Sequence, residues 1–314
     1  MKRFLAALLA AMLAFSFSAM AEGPSYTVGI CQLVQHDALD DATLGFKAAL
    51  TELLGSRISF IEQNASGDTA TCISIANSFI AEEVDLILAN ATQALQAVYA
   101  STGDIPVLGV SVSDYAAALD MDQWTGVTGV NVSGTSDLAP IADQAELIRE
   151  LFPAAKNIGL LYCSSEANSE YQAAIMQGHL TAMGYSCKAY TFTDSNDVFA
   201  VTQNACAGSD VIYVPTDNVV ASCSEVIRNV IDVEKTPIIG GDEGICSVCG
   251  VATLGMNYYS LGYATGKMAY RILVQGADPA TMPIQFVSNF TKKYNAELCQ
   301  YLGISVPGDF EALD

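Results

Sequence analysis

Positive charge is what this sequence has least of. Lys and Arg number 13 against 34 Asp and Glu in 314 residues, a formal net charge of −21. Nucleic acid and anionic membrane surfaces repel so acidic a chain, and neither is expected as a partner. Histidine is nearly missing: His36 and His179 stand far apart, which leaves little for a zinc site, and no metal or other cofactor is expected. There is no Gly-x-Ser-x-Gly elbow and no Gly-x-x-x-x-Gly-Lys phosphate loop. The reading is therefore of a protein that is not an enzyme. A hydrolase working with a carboxylate pair is the one enzymatic alternative such an acid-rich chain leaves.

Long apolar runs are missing after the first residues. Met1-Lys2-Arg3 precedes an apolar run over 4–17 and the small-x-small triplet Ala19-Met20-Ala21, which reads as a secretory signal cut after Ala21. No cysteine sits at the cut, so a lipid anchor is not expected, and the mature chain should be periplasmic or extracellular. Nine cysteines, Cys31, Cys72, Cys163, Cys187, Cys206, Cys223, Cys246, Cys249 and Cys299, are an odd count whose pairing the sequence leaves open. Cys246-Ser247-Val248-Cys249 sits between Gly244 and Gly250 and reads as part of a turn, unlike a redox pair opening a helix. Four Asn-x-Ser/Thr triplets, at Asn64, Asn90, Asn131 and Asn289, read as chance in polar loops.

What is present is an alternation of short apolar runs with helix-period segments, the pattern of parallel α/β sheets. Strands are expected at 26–33, 58–61, 85–89, 106–110 and 126–130, with helices at 39–54, 68–83 and 92–101. The pattern then restarts. Helices are expected at 138–151, 168–183, 198–207, 218–233 and 259–274, and strands at 158–162, 186–192, 211–214, 237–239, 251–254 and 283–287. At 51% hydrophobic content the chain can support two cored domains of similar build.

The phrases GICQLVQHDALDDATLGFKAAL, ANATQAL, VSVSDYAAAL, GVNVSGTSD, SSEANSEY, YVPTDNVV, GGDEG and NYYSLGYATGKMAYRILVQGADPATMPI occur in that order along the chain. Together they resemble the substrate-binding proteins of ABC importers, in the branch whose characterised members capture tryptophan, phenylalanine or tyrosine. The resemblance implies a type I periplasmic binding fold: two Rossmann-like lobes joined by three hinge crossings, here near Ser133, Met256 and Pro283. The lobes would then comprise 22–133 with 257–282, and 134–256 with 283–314. It also implies a monomer that captures a small solute by hinge closure and docks on an ABC permease in the inner membrane. A sugar- or nucleoside-binding importer component and a ligand-presenting sensory protein are the alternatives.

In open α/β sheets, ligands bind at the C-terminal ends of strands. Those ends, read off the sequence, carry amides, hydroxyls and carboxylates, and no Lys or Arg. Phosphate, sulfonate or dicarboxylate ligands ordinarily call for Arg, so a neutral, zwitterionic or cationic solute is expected. For an amino acid, Thr92, Ser111 and Ser113 are placed to receive the carboxylate, and Asp217, Asp242 and Glu170 are the candidates for the ammonium. Gln32, His36, Asp114, Asn168, Ser169, Thr216, Asn218 and Glu243 complete the candidate set. Several have second readings: Asn168 with Glu170, and Thr216 with Asp217 and Asn218, also suit helix starts, 240–244 also suits a flexible turn, and His36 also suits solvent beside one. Tyr115, Tyr171 and Leu39 are the side chains considered for covering a ring, while Trp124 is expected outside the cleft.

Overall fold

The computed structural model describes residues 23–286 and 289–313, so the expected signal at 1–21 lies outside the described residues. The strands form two sheets. The first holds β1 (Tyr26–Gln32), β2 (Ile58–Asn64), β3 (Leu86–Asn90), β4 (Val107–Val112), β5 (Val132–Ser136) and β11 (Gln285–Phe286). Their order is β2-β1-β3-β4-β5-β11, parallel throughout. The second holds β6 (Asn157–Cys163), β7 (Ser186–Phe192), β8 (Val211–Val214), β9 (Ile238–Gly240), β10 (Ala252–Gly255), β12 (Thr291–Tyr294) and β13 (Glu311–Ala312). Its order is β7-β6-β8-β9-β10-β12-β13, with β12 antiparallel to β10.

Around the first sheet run α1 (Asp37–Leu54), α2 (Thr69–Ala81), α3 (Thr92–Ser101), α4 (Tyr115–Ala118) and α11 (Tyr258–Gln275). Around the second run α5 (Ile141–Leu151), α6 (Ala167–Ala182), α7 (Val198–Gly208), α8 (Asn218–Ser222), α9 (Ser224–Glu234), α10 (Glu243–Val248) and α12 (Ala296–Leu302). Every residue of β3 and β4 is buried, as parallel strands covered on both faces must be. One face of the first sheet packs Phe79, Leu95 and Val98, and the other packs Phe46, Leu50 and Met268. A single cluster around Leu160, Tyr213 and Ile231 fills the second lobe. This is the type I periplasmic binding architecture that the resemblance implied.

The return of α11 to the first lobe is fixed by glycine. A Cβ on Gly262 would strike the carbonyl of Ala42, and one on Gly45 the carbonyl of Tyr259, so α1 and α11 touch backbone to backbone. Thr265 then reaches Thr135 on β5 through a hydroxyl pair at 2.7 Å.

Several boundaries differ from those expected. The strand expected at 126–130 is irregular, because Gly126 and Gly129 turn the chain at φ 88° and 71°, and β5 follows it instead. The first crossing therefore comes after Ser136, not at Ser133. The final crossing lies between β11 and β12 rather than at Pro283, because Ile284 packs into the first lobe and Gln285 pairs with Thr135. Residue 287 of that expected strand is outside the described residues. Pro140 delays α5 to Ile141, and the helix expected at 218–233 breaks at Cys223 into α8 and α9. The Cys246–Cys249 pair lies at α10, a short helix after β9, and not in a turn. Burial holds both thiols well above their ordinary range, which opposes thiolate chemistry. All nine cysteines carry free thiols.

A branched side chain at Gly262 has no free space, and backbone is what it meets. Gly262→Val is expected to destabilise the fold by about 1–3 kcal/mol or more. Gly178→Ala, on the exposed side of α6 with nothing within 4 Å, should instead be neutral or stabilising by up to about 1 kcal/mol. Urea unfolding midpoints of the two variants test this contrast.

Candidate functional site

The strand ends of the two sheets face each other, and the lobes touch directly. His36 Nε2 donates to Asn218 Oδ1 at 3.2 Å, Gln93 Nε2 to the Ser165 carbonyl at 2.9 Å, and Gln172 Nε2 to Ser113 Oγ at 2.9 Å. Burial keeps His36 below its ordinary pKa, so its neutral ring serves as the donor. The lobes are closed on the cleft.

The first-lobe wall is made where β3 and β4 end. Ala91 and Ser111 adopt φ of 91° and 56°, a region that side chains other than glycine rarely occupy. A register shift between Gly109 and Val112 accompanies the Ser111 conformation, and such bulges re-aim side chains. The start of α3 has no side-chain cap, which leaves its first N–H groups free. Beside them, the hydroxyls of Thr92 and Ser111 are buried without any hydrogen-bond partner, as is Asn90 Oδ1. A bare helix start with two idle hydroxyls is suited to an anionic group. Backbone strain beside unpartnered polar atoms is the mark of a site held in readiness.

The second-lobe wall is acidic. Glu166, Asp217 and Asp242 are buried, and Asp137 joins them at the first crossing. Among the described residues no Lys or Arg pairs with any of them. Helix starts and hydroxyls hold them instead. Glu166 accepts from the backbone N–H groups of Asn218 and Val219 and from the amides of Asn218 and Asn168. Asp217 caps α8 through Val220 at 2.8 Å and binds the Cys163 N–H at 2.7 Å. Asp137 accepts from Ser113 Oγ at 2.9 Å and from the Tyr258 hydroxyl at 3.0 Å. Asp242 caps α10 through Ile245 at 2.8 Å. Burial raises the pKa of all four, and Asp217 adds like-charge repulsion at Glu166.

The structure brings most of the expected residues to this cleft and sorts them by task. Thr92, Ser111 and Asn168 carry idle atoms there; Asn168 Oδ1 is unpartnered while its amide binds Glu166 and the Thr216 carbonyl. Ser113 is engaged with Asp137, and Ser169 supports Asp217. Asp114 caps α4 and faces Tyr171 of the other lobe. Gln32 is turned into the first lobe, bonded to Asp40, Thr43 and Val34, because its place on β1 directs it toward α1. Glu170 is exposed, and Glu243 pairs with Lys293 at 2.8 Å beyond the strand ends. Tyr115 is a core residue that bonds the Thr135 carbonyl.

Glu166, Asp137, Gln172 and Tyr258 stand in the site although the sequence did not single them out. Glu166 directly precedes α6, a position open to capping and the one sequence signal for any of these four, but its carboxylate serves the start of α8 instead. A groove of about 430 Å³ adjoins the cleft, between Leu33 and Val34 on one side and Glu166, Val219 and Ser195 on the other.

Burial, with Asp137 adding its charge, pushes Asp242 up to about 7 from an ordinary 3.8. Between those values the folded chain holds a proton that the unfolded chain has released. Stability is therefore greatest at the acid end of this window and falls as pH rises through it. Asp242→Asn keeps the cap and removes the titration, so it should flatten the decline. Melting temperatures between roughly pH 4 and pH 7 test this; an unaltered slope assigns the titration to another group.

The chain matches the family described as ABC transporter substrate binding protein over residues 27–312. It is 36% identical over 260 residues to a tyrosine-binding protein of Clostridioides difficile strain R20291, covering 82% of this chain and 75% of that one. An ABC domain from Streptococcus pneumoniae solved in complex with L-Trp superposes with a TM-score of 0.86 at 30% identity, covering 90% of this chain and 96% of that one. A ligand-free, open substrate-binding protein from Clostridium difficile gives 0.69 at 35% identity, covering 92% and 99%. The poorer overlap with the open structure, despite its higher identity, agrees with the closed lobes described above. These relatives are solute-binding proteins and not enzymes, and this chain belongs to the ABC transporter substrate-binding protein family.

Proposed function

We propose that this protein captures an amino acid, of the aromatic class, by closing its lobes over it. The observation that supports the reading is the chemical opposition of the two walls: idle hydroxyls at the bare α3 start against buried carboxylates that lack a basic partner. A zwitterion satisfies both. Its carboxylate accepts from the α3 N–H groups, Thr92 and Ser111, and its ammonium meets an acid across the cleft. Asp242 is the acid assigned to the ammonium, since Glu166 and Asp217 are each already held by several protein donors. The aromatic class comes from the relatives, one called tyrosine-binding and one solved with L-Trp.

The protein acts, in this reading, after export behind the 1–21 signal, as a periplasmic or extracellular monomer that hands its ligand to an ABC permease. Presentation of the ligand to a sensory receptor would use the same closure. The four buried carboxylates also support a second reading, a cationic amine as ligand.

Calorimetry separates these readings. L-tyrosine, L-tryptophan and L-phenylalanine are compared with tyramine and tryptamine, which lack the carboxylate, and with 3-phenylpropionate, which lacks the ammonium. Loss of either charged group is expected to weaken binding at least ten-fold, about 1.4 kcal/mol. Ser111→Ala and Asp242→Asn should each do the same to the parent amino acid. Amines binding as well as amino acids would transfer the assignment to a cationic solute. Binding of sugars or nucleosides alone would discard it.

A further inference from the structure

Polar side chains on the buried face of a helix demand an explanation, and α6 carries three in succession: Asn168, Ser169 and Gln172, at 5%, 0% and 1% exposure. The first two serve Glu166, Thr216 and Asp217 inside the second lobe. Gln172 does something different. Its Oε1 accepts from the Thr216 N–H at 3.2 Å, within its own lobe, while its Nε2 donates to Ser113 Oγ of the first lobe at 2.9 Å.

The direction of the bonds beyond Ser113 is fixed by its single proton. Ser113 Oγ donates to Asp137 Oδ1 at 2.9 Å, so toward Gln172 it can only accept. The other oxygen of Asp137 accepts from the Tyr258 hydroxyl at 3.0 Å. Asp137 lies at the first crossing, immediately after β5, and Tyr258 opens α11, immediately after the second crossing. Gln172, Ser113, Asp137 and Tyr258 are all buried. Ser113, Asp137 and Tyr258 belong to the first lobe and the crossings. The bond from Gln172 to Ser113 joins this chain to the second lobe, as does a contact of the Tyr258 hydroxyl with Thr216.

We propose that Gln172 is a positioning residue that locks the closed form by joining the second lobe to the hinge through Ser113, Asp137 and Tyr258. Each end of its amide meets a protein group, one in each lobe, which assigns it to closure. This inference rests on the capture reading only in its choice of ligand. Loss of the lock shortens residence of the bound solute and leaves the encounter of solute with the open cleft untouched, because interface changes act mostly on dissociation.

The test compares the parent with Gln172→Ala, Ser113→Ala and the double variant, using L-tyrosine and L-tryptophan as probes. Stopped-flow binding should show dissociation at least ten-fold faster in Gln172→Ala with association changed less than about three-fold. Small-angle scattering at saturating probe should show a radius of gyration that stays larger than the parent's. The double variant should lose no more than the larger of the two single losses, the sign of a shared interaction. A saturated Gln172→Ala complex as compact as the parent complex would overturn the lock, and so would additive effects of the two substitutions. Should the parent bind neither probe, the capture reading of aromatic amino acids falls by itself. The lock is then judged from the interlobe distance distribution of the unliganded chains, measured with a fluorophore pair on exposed sites; equal distributions in parent and variant overturn it.

Discussion

Buried carboxylates with almost no bases to pair with are the constraint on which this molecule is arranged. An unpaired charge in a low-dielectric interior is costly, and removing it from water without donors is worse than any surface ion pair is good. The chain meets that demand with backbone. The N-terminal ends of α8 and α10 point their free N–H groups at Asp217, Glu166 and Asp242, and hydroxyls of Ser113 and Tyr258 hold Asp137. The helix starts sit where they do because each follows a strand of a parallel sheet, and those strand ends converge on one cleft. Satisfying the acids and building the cleft are therefore the same structural act.

The opposite wall works by leaving donors free. The α3 start has no side-chain cap, Ala91 and Ser111 hold unfavourable backbone angles, and the hydroxyls of Thr92 and Ser111 are left without partners. Each of these features costs stability locally, and the well-packed sheet beneath, with β3 and β4 wholly buried, over-determines them. Acid on one wall and donors on the other give the closed cleft a direction, so a solute with two unlike charged ends has one orientation in it. Closure also runs through the hinge: the Gln172 amide meets Ser113, which is tied to Asp137 and Tyr258 where the chain passes between lobes.

Much of this was legible in the residues. The alternation of strands and helices, restarting in mid-chain, gave two lobes, and the rule of strand ends led to Thr92, Ser111, Asn168, Asp217, Asn218 and Asp242. Glu170 illustrates the limit. It lies one helical turn from Glu166; both are acids near the start of α6, and only the placement of α8 decides that Glu166 is covered while Glu170 meets solvent. Gln32 follows the same logic: it ends a strand as expected, but the alternation of the pleat sends it toward α1, where Asp40 and Thr43 hold it.

The sequence by itself determined the lobes, the acidity of the site and the shortage of bases within it, because hydrophobic period and composition are local properties that any window of residues displays. Tertiary structure alone decided that Asp137 and Tyr258, 121 positions apart, share a hydrogen bond, that Gln172 reaches Ser113 in the other lobe, and that β11 completes the first sheet and not the second. Those pairings join residues far apart in the chain, brought together by the crossings and by the meeting of the lobes, and no local pattern records such contacts.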